Sequence, residues 1–182
     1  MKIIDLGAQD EEAIRQVAIL LLEGFRGTGS QAWLTIEAAV QEVMDSLATG
    51  KISRIAVAED DTILGWIAGA PEYDGHAWEL HPLVVSPSYR GQGIGRTLVA
   101  DFERLVKEWG GTTVYLGTDD EDNRTSLGGV DLYPNVLEQV SHIRNLRRHP
   151  YEFYQKIGYT IVGVIPDANG LGKPDILMAK RV

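Results

Sequence analysis

The chain has 182 residues, 44% hydrophobic and 24% charged, with a formal net charge of −9 at pH 7. Such a length and balance predict one soluble domain over 1–182, and the negative charge argues against nucleic acid, which needs clustered Lys and Arg. With no cysteine, disulfides, thiolate metal sites and acyl-cysteine chemistry are excluded, and a cytoplasmic location is the simplest expectation.

Residues 2–6 read as a short strand. Asp10 is placed to cap a helix from Glu11 to about Glu23, with Ile14, Val17, Ala18 and Leu21 on one face. Its apolar run, Val17 to Leu22, is far shorter than the roughly 20 residues needed to cross a bilayer, so no membrane partner is expected. The loop GFRGTGS follows at 24–30, then a helix from about Thr35 to Ala48 that Gly50 stops. Arg54–Glu59 and Thr62–Ala70 are β-rich runs forming a hairpin, and Trp78–Val85 is a third run broken by Pro82.

From 94 to 109, apolar residues at Ile94, Leu98, Val99, Phe102, Leu105, Val106 and Trp109 make a helical stripe. Thr112–Thr118 is a strand, and the polar stretch DDEDNRTSLGG leads to a helix over about Tyr133–Leu146. A short helix, Tyr151–Ile157, and strands at 159–165 and 175–181 complete the chain. The order predicts an α/β class, a mixed sheet layered with helices.

The turn RGQGIGR (90–96) is the first motif with chemistry in it. A dinucleotide fingerprint needs G-x-G-x-x-G after a first strand, and a P-loop needs a lysine; this turn satisfies neither. What remains is Arg90-x-x-Gly93-x-Gly95 between a strand and a helix, with backbone N–H groups at a helix N-terminus that favours an anion. Glycine at 91, 93 and 95 allows close approach of the backbone. Arg90 and Arg96 add charge, Val84 and Val85 precede the turn, and Gln92 and Ile94 lie within it.

Strand, RGQGIG and helix together resemble the acetyl-CoA pyrophosphate loop of the GCN5-related N-acetyltransferase superfamily. The segments GHAWELHPLVV (75–85), TVYLGTDD (113–120) and RRHPYEFYQKIGYTIVGVIPDANGLGKPDILMAK (147–180) resemble one branch, the aminoglycoside 6'-N-acetyltransferases of the dimeric chromosomal type. The resemblance implies a mixed, mostly antiparallel sheet of about seven strands, splayed between the fourth and fifth, with helices on both faces. It also implies acetyl-CoA as co-substrate, its pyrophosphate on the backbone of Gly91 to Arg96, and a homodimer.

An amine acceptor has a pKa of roughly 10, so a base is needed before it attacks a thioester. Glu79 and His81 lie two apart in a strand and so share a face. Glu79 is the candidate base, directly or through water, with His81 assisting. The alternatives are a surface carboxylate in an ion pair and a hydrogen-bonded core histidine.

Pro82 removes a ladder donor and predicts a bulge or splay, after which the N–H of Leu83 could serve as an oxyanion donor. The resemblance places the acid for the thiolate at Tyr154, which could equally be a packed aromatic, and Lys156 with Arg96 near the CoA 3'-phosphate. No metal is expected: the acidic run DDEDN lacks the ladder of a calcium loop. Its Asp119 and Asp120, with Glu23 and Glu72, are candidates for binding a cationic acceptor. Acetylation of another amine, or an acyl-CoA-binding module without turnover, are the competing functions.

Overall fold

A computed structural model describes residues 1–27 and 32–182. Part of the loop expected at 24–30 lies outside the described residues. The chain divides into two compact units, residues 1–114 with Val182, and residues 115–181.

In the first unit, β1 (Lys2–Asp5), β2 (Ile52–Val57), β3 (Ile63–Glu72) and β4 (Ala77–Val85) pair antiparallel in that order. Helices α1 (Glu11–Phe25), α2 (Ile36–Ser46) and α3 (Ile94–Glu108) complete it. The Asp10 side chain accepts from the Ala13 N–H and Thr35 accepts from Ala38 N–H, satisfying a free donor at each helix start. Val17, Ala18 and Leu21 of α1 and Val43 of α2 pack with Ile55, Trp66 and Val84. Each such large aliphatic side chain contributes about 1.5–3 kcal/mol when fully buried. In α3, Ile94, Leu98, Val99, Phe102 and Val106 are buried, while Trp109 just past its end is mostly exposed. Arg54, buried in β2, is held by Asp101 of α3 at 2.7 Å and by Asp5 of β1, so one cation satisfies two carboxylates across three elements.

The proline in β4 has the effect expected of it. Gly69 pairs with Leu80 and Ile67 with Leu83, so His81 and Pro82 together oppose Ala68. That is a β-bulge.

The second unit contains β5 (Thr113–Asp119, whose first two residues belong to the first unit), α4 (Val136–Ser141), α5 (Tyr151–Lys156), β6 (Thr160–Ile165) and β7 (Asp175–Arg181), with strand order β5-β7-β6. The helix expected over 133–146 is cut to α4. Its stripe is too weak to hold more: no residue of α4 is buried and Leu137 is 79% exposed. Beyond it the backbone joins an extended pairing instead, with Leu146 N–H on Arg124 O, Ser126 N–H on Arg144 O and a bridge between Thr125 and Asn145. Tertiary pairing has overridden a helical pattern.

Candidate active site

Along β4 the side chains alternate. Trp78, Leu80, Pro82 and Val84 are buried, and Glu79, His81, Leu83 and Val85 occupy the other face. Glu79 and His81 therefore share a face as predicted, and both line a pocket of about 100 Å³ with Glu42 of α2, Lys51 and Gly69. A side chain at Gly69 would overlap the Glu79 carbonyl and the Phe102 ring, so glycine here lets α3 seat against β3 behind the pocket. His81 is about half exposed, with Glu42 Oε1 at 4.0 Å from its Nε2. The other Glu42 oxygen accepts from the Trp33 indole N–H at 3.2 Å. The Trp33 ring lies 5.6 Å from the imidazole and is met edge-on by Phe25 at 4.8 Å. Leu83 resumes the ladder opposite Ile67, directly after the bulge.

The glycine turn has the features of an anion cradle. Gly91 and Gly93 have φ of 78° and 85°, in the left-handed region, and a side chain at either would meet nothing within 4 Å. Gly93 caps α3 with no side-chain hydrogen bond, and no acidic residue occupies the first turn. The N–H groups of that turn precede the first intrahelical donor, Thr97 N–H on Gly93 O, and face outward at the positive end of a 15-residue helix.

Arg90 is engaged differently from expectation. Its Nη2 donates to Gly24 O at 2.9 Å and its Nε to Val85 O at 3.3 Å. Gln92 and Arg96 are exposed, whereas Val84 and Ile94 are buried, so only the backbone of these two can meet a ligand.

In the second unit Tyr154 is buried, with Phe153 and Tyr159 edge-on to its ring. Burial pushes its phenol well above the ordinary value of about 10. Lys156 is exposed at the end of the same helix. Asp119 is exposed and accepts from Asn169 Nδ2.

Asp120 is not an acceptor-facing group as the sequence suggested. It is fully buried, one oxygen accepting from Arg124 N–H and the other from Thr125 N–H and Oγ1, so it organises the 120–125 loop. Asp122 is spent on Arg124 at 2.9 Å. Glu23 in α1 and Glu72 at the end of β3 are exposed and do not line the pocket.

Three residues of consequence were not singled out from the sequence. Glu42 and Trp33 carry no motif; only their proximity to His81 reveals them. His149 sits inside HPYEFY and is buried. Its Nε2 is 3.0 Å from Asp119 O and its Nδ1 accepts from Tyr151 N–H, which ties the end of β5 to the start of α5 and fixes the neutral Nε2–H tautomer. Desolvation accordingly lowers its pKa, and the nearby Arg124 cation acts in the same direction.

Among the described residues no three His, Cys, Asp or Glu side chains are placed to hold a metal ion, and no helix is long and apolar enough to cross a membrane.

A carboxylate-bearing, proline-bulged strand that runs through a glycine turn into a helix is suited to an acyltransferase, and the comparisons give that class. The family model of the acetyltransferase (GNAT) family matches residues 18–133, and the chain belongs to that family. The expected α/β class with seven strands and helices is its fold. No curated protein sequence matches the chain.

Among solved structures it is similar to an aminoglycoside 6'-N-acetyltransferase complexed with coenzyme A, at 41% identity and a TM-score of 0.90, over 100% of this chain and 97% of that one. The aminoglycoside 6'-N-acetyltransferase from Enterococcus faecium is similar at 41% identity with a TM-score of 0.88, again over 100% and 97%. An aminoglycoside 6'-acetyltransferase type Ii follows at 35% identity and 0.74, with the same coverage.

Proposed function

We propose that this acetyltransferase moves the acetyl group of acetyl-CoA to the 6'-amine of an aminoglycoside by direct attack in a ternary complex. The observation that carries the reading is the pocket bearing Glu79 and His81 on one strand face with a second carboxylate, Glu42, in its lining. A cationic amine is favoured there. Likeness to three aminoglycoside acetyltransferases over the whole chain supports the acceptor class.

In this reading Glu79 takes the proton of the ammonium, directly or through water, with His81 assisting. The free amine attacks the thioester carbonyl while the N–H of Leu83 receives the developing oxyanion. The C–S bond then breaks and the thiolate leaves. The thiolate, whose conjugate acid has a pKa of about 8.5, is met by the Tyr154 hydroxyl. Because burial makes this phenol a weaker acid than a free tyrosine, its contribution is chiefly a hydrogen bond to the departing sulfur. Two protons leave the nitrogen: the ammonium's passes to Glu79 and on to solvent, and the one lost as the amide forms balances the thiolate's conversion to the thiol.

The pyrophosphate of acetyl-CoA is assigned to the backbone from Gly91 to Arg96, and the 3'-phosphate to Arg96 and Lys156. Asp119, Glu23 and Glu72 are the remaining candidates for cationic groups of the acceptor. The family match runs across the boundary between the two units, which supports reading 1–182 as one acetyltransferase domain. A cytoplasmic homodimer that confers aminoglycoside resistance completes the proposal.

The test is an acceptor screen with acetyl-CoA, followed by thiol release. Turnover of aminoglycosides bearing a 6'-amine, with none for 6'-hydroxyl analogues, is the expected outcome. Preference for a polyamine over every aminoglycoside, or tight CoA binding without transfer to any amine, would overturn the reading. Unchanged pH–rate profiles in both Glu79→Ala and His81→Ala would remove the base assignment.

A further inference from the structure

We infer that Glu42 is a positioning residue for His81, held in place by Trp33; the inference rests on the proposed reaction at this pocket. Glu42 divides its two oxygens. Oε2 accepts from the Trp33 indole at 3.2 Å, and Oε1 stands 4.0 Å from His81 Nε2. An indole N–H can only donate, so this bond fixes the carboxylate rotamer and leaves the second oxygen toward the imidazole.

His81 has little else to orient it. Its side chain is 54% exposed, and it lies in the bulge, where it shares Ala68 of β3 with Pro82. Trp33 flanks the imidazole at a 38° tilt and is itself braced by Phe25, so ring contact and carboxylate act from the same side. The other charged groups in the pocket lining are Glu79 and Lys51. At 4.0 Å the Glu42–His81 contact is electrostatic rather than a hydrogen bond, so the charge of Glu42 is what acts on the ring.

The charge requirement separates this role from simple support of the loop. The amide oxygen of a glutamine can still accept from Trp33 but carries no charge. Glu42→Gln is therefore expected to lower kcat/KM for the amine about five- to ten-fold, through kcat. The KM for acetyl-CoA should stay put. Glu42→Asp, which keeps the charge, should recover part of that loss, and Trp33→Phe, which releases the carboxylate, should lower kcat in the same direction.

The second readout does not depend on turnover. In NMR spectra the His81 ring signals should move in Glu42→Gln while those of the other three histidines stay fixed. Wild-type kcat/KM in Glu42→Gln, or an unmoved His81 ring, would overturn the inference. If the wild-type chain acetylates no amine yet the His81 signals move as expected, the positioning role stands and the proposed function falls.

Discussion

The guanidinium of Arg90 donates to the carbonyl oxygen of Gly24 at 2.9 Å, joining the end of α1 to the turn that begins the anion cradle. The same side chain donates to Val85 O, so two carbonyls from different elements share one cation. Replacing Arg90 with Ala is expected to cost about 1 kcal/mol of stability, the net worth of such exposed bonds. The KM for acetyl-CoA should rise a few-fold as the turn loosens. Thermal melting and steady-state kinetics measure the two effects, and an unchanged KM would separate the clamp from donor binding.

Gly93 supplies a backbone angle that no L side chain holds easily. With φ at 85° and open space around it, Gly93→Ala is strained by the backbone alone, at about 1–2 kcal/mol. Relief of that strain would rotate the first amides of α3. We expect both a lower melting temperature and weaker acetyl-CoA binding, measured by calorimetry.

Asp120 predicts a large effect from a residue that touches no ligand in the proposed mechanism. Asp120→Ala leaves the buried donors of Arg124 and Thr125 without an acceptor and should cost about 3 kcal/mol. Asp120→Asn should cost less, because its one amide oxygen still serves part of the set. Urea unfolding of both variants gives the comparison.

His149 gives a pH dependence whose sign follows from its burial. Its folded pKa lies below the unfolded value of about 6.5, so below that pH the unfolded chain binds more protons than the native one. Its contribution is therefore complete above about pH 6.5 and lost as pH falls toward the depressed folded value. Stability measured by urea unfolding should decline over that window, and His149→Gln should flatten the decline. A variant as steep as wild type would assign the titration elsewhere.

Tyr154→Phe removes one hydroxyl and keeps the ring packed between Phe153 and Tyr159. Turnover should drop about ten- to hundred-fold, with acetyl-CoA affinity and melting temperature little changed. A wild-type rate would refute the role. Since burial raises the phenol pKa, its ionisation should lie above any alkaline limb of the rate profile.

Much of this fold is visible in local patterns. Asp10 marks a helix start through capping, Gly50 turns the chain at positive φ four residues past the end of α2 at Ser46, and the stripe from Ile94 to Val106 dictates one buried face. Pro82 announces the bulge because a proline cannot donate to the ladder. The region after β5 is where local reading fails. Val136, Val140 and Ile143 are aligned for a helix, yet the chain from Arg144 onward pairs with the 124–126 segment, a long-range choice that no short window contains.

The same limit applies to the site. Glu79 and His81 are legible because period two puts them on one face. Glu42 and Trp33 come from elsewhere in the chain, and their relation to His81 exists only after folding. Asp120 illustrates the opposite error, since an acidic run looks solvent-facing until one member is found capping its own loop.

The bulge at His81 and Pro82 has a practical bearing on enzymology. Because the two residues share a single partner, Ala68, on the neighbouring strand, and because the imidazole is half in solvent, exchange of His81 perturbs little of the cohesive energy of the sheet. Substitutions there should leave melting behaviour nearly constant across a whole series. Position 81 is thus a calibrated dial: a change in rate along such a series reports on events in the pocket that His81 lines and not on a damaged scaffold.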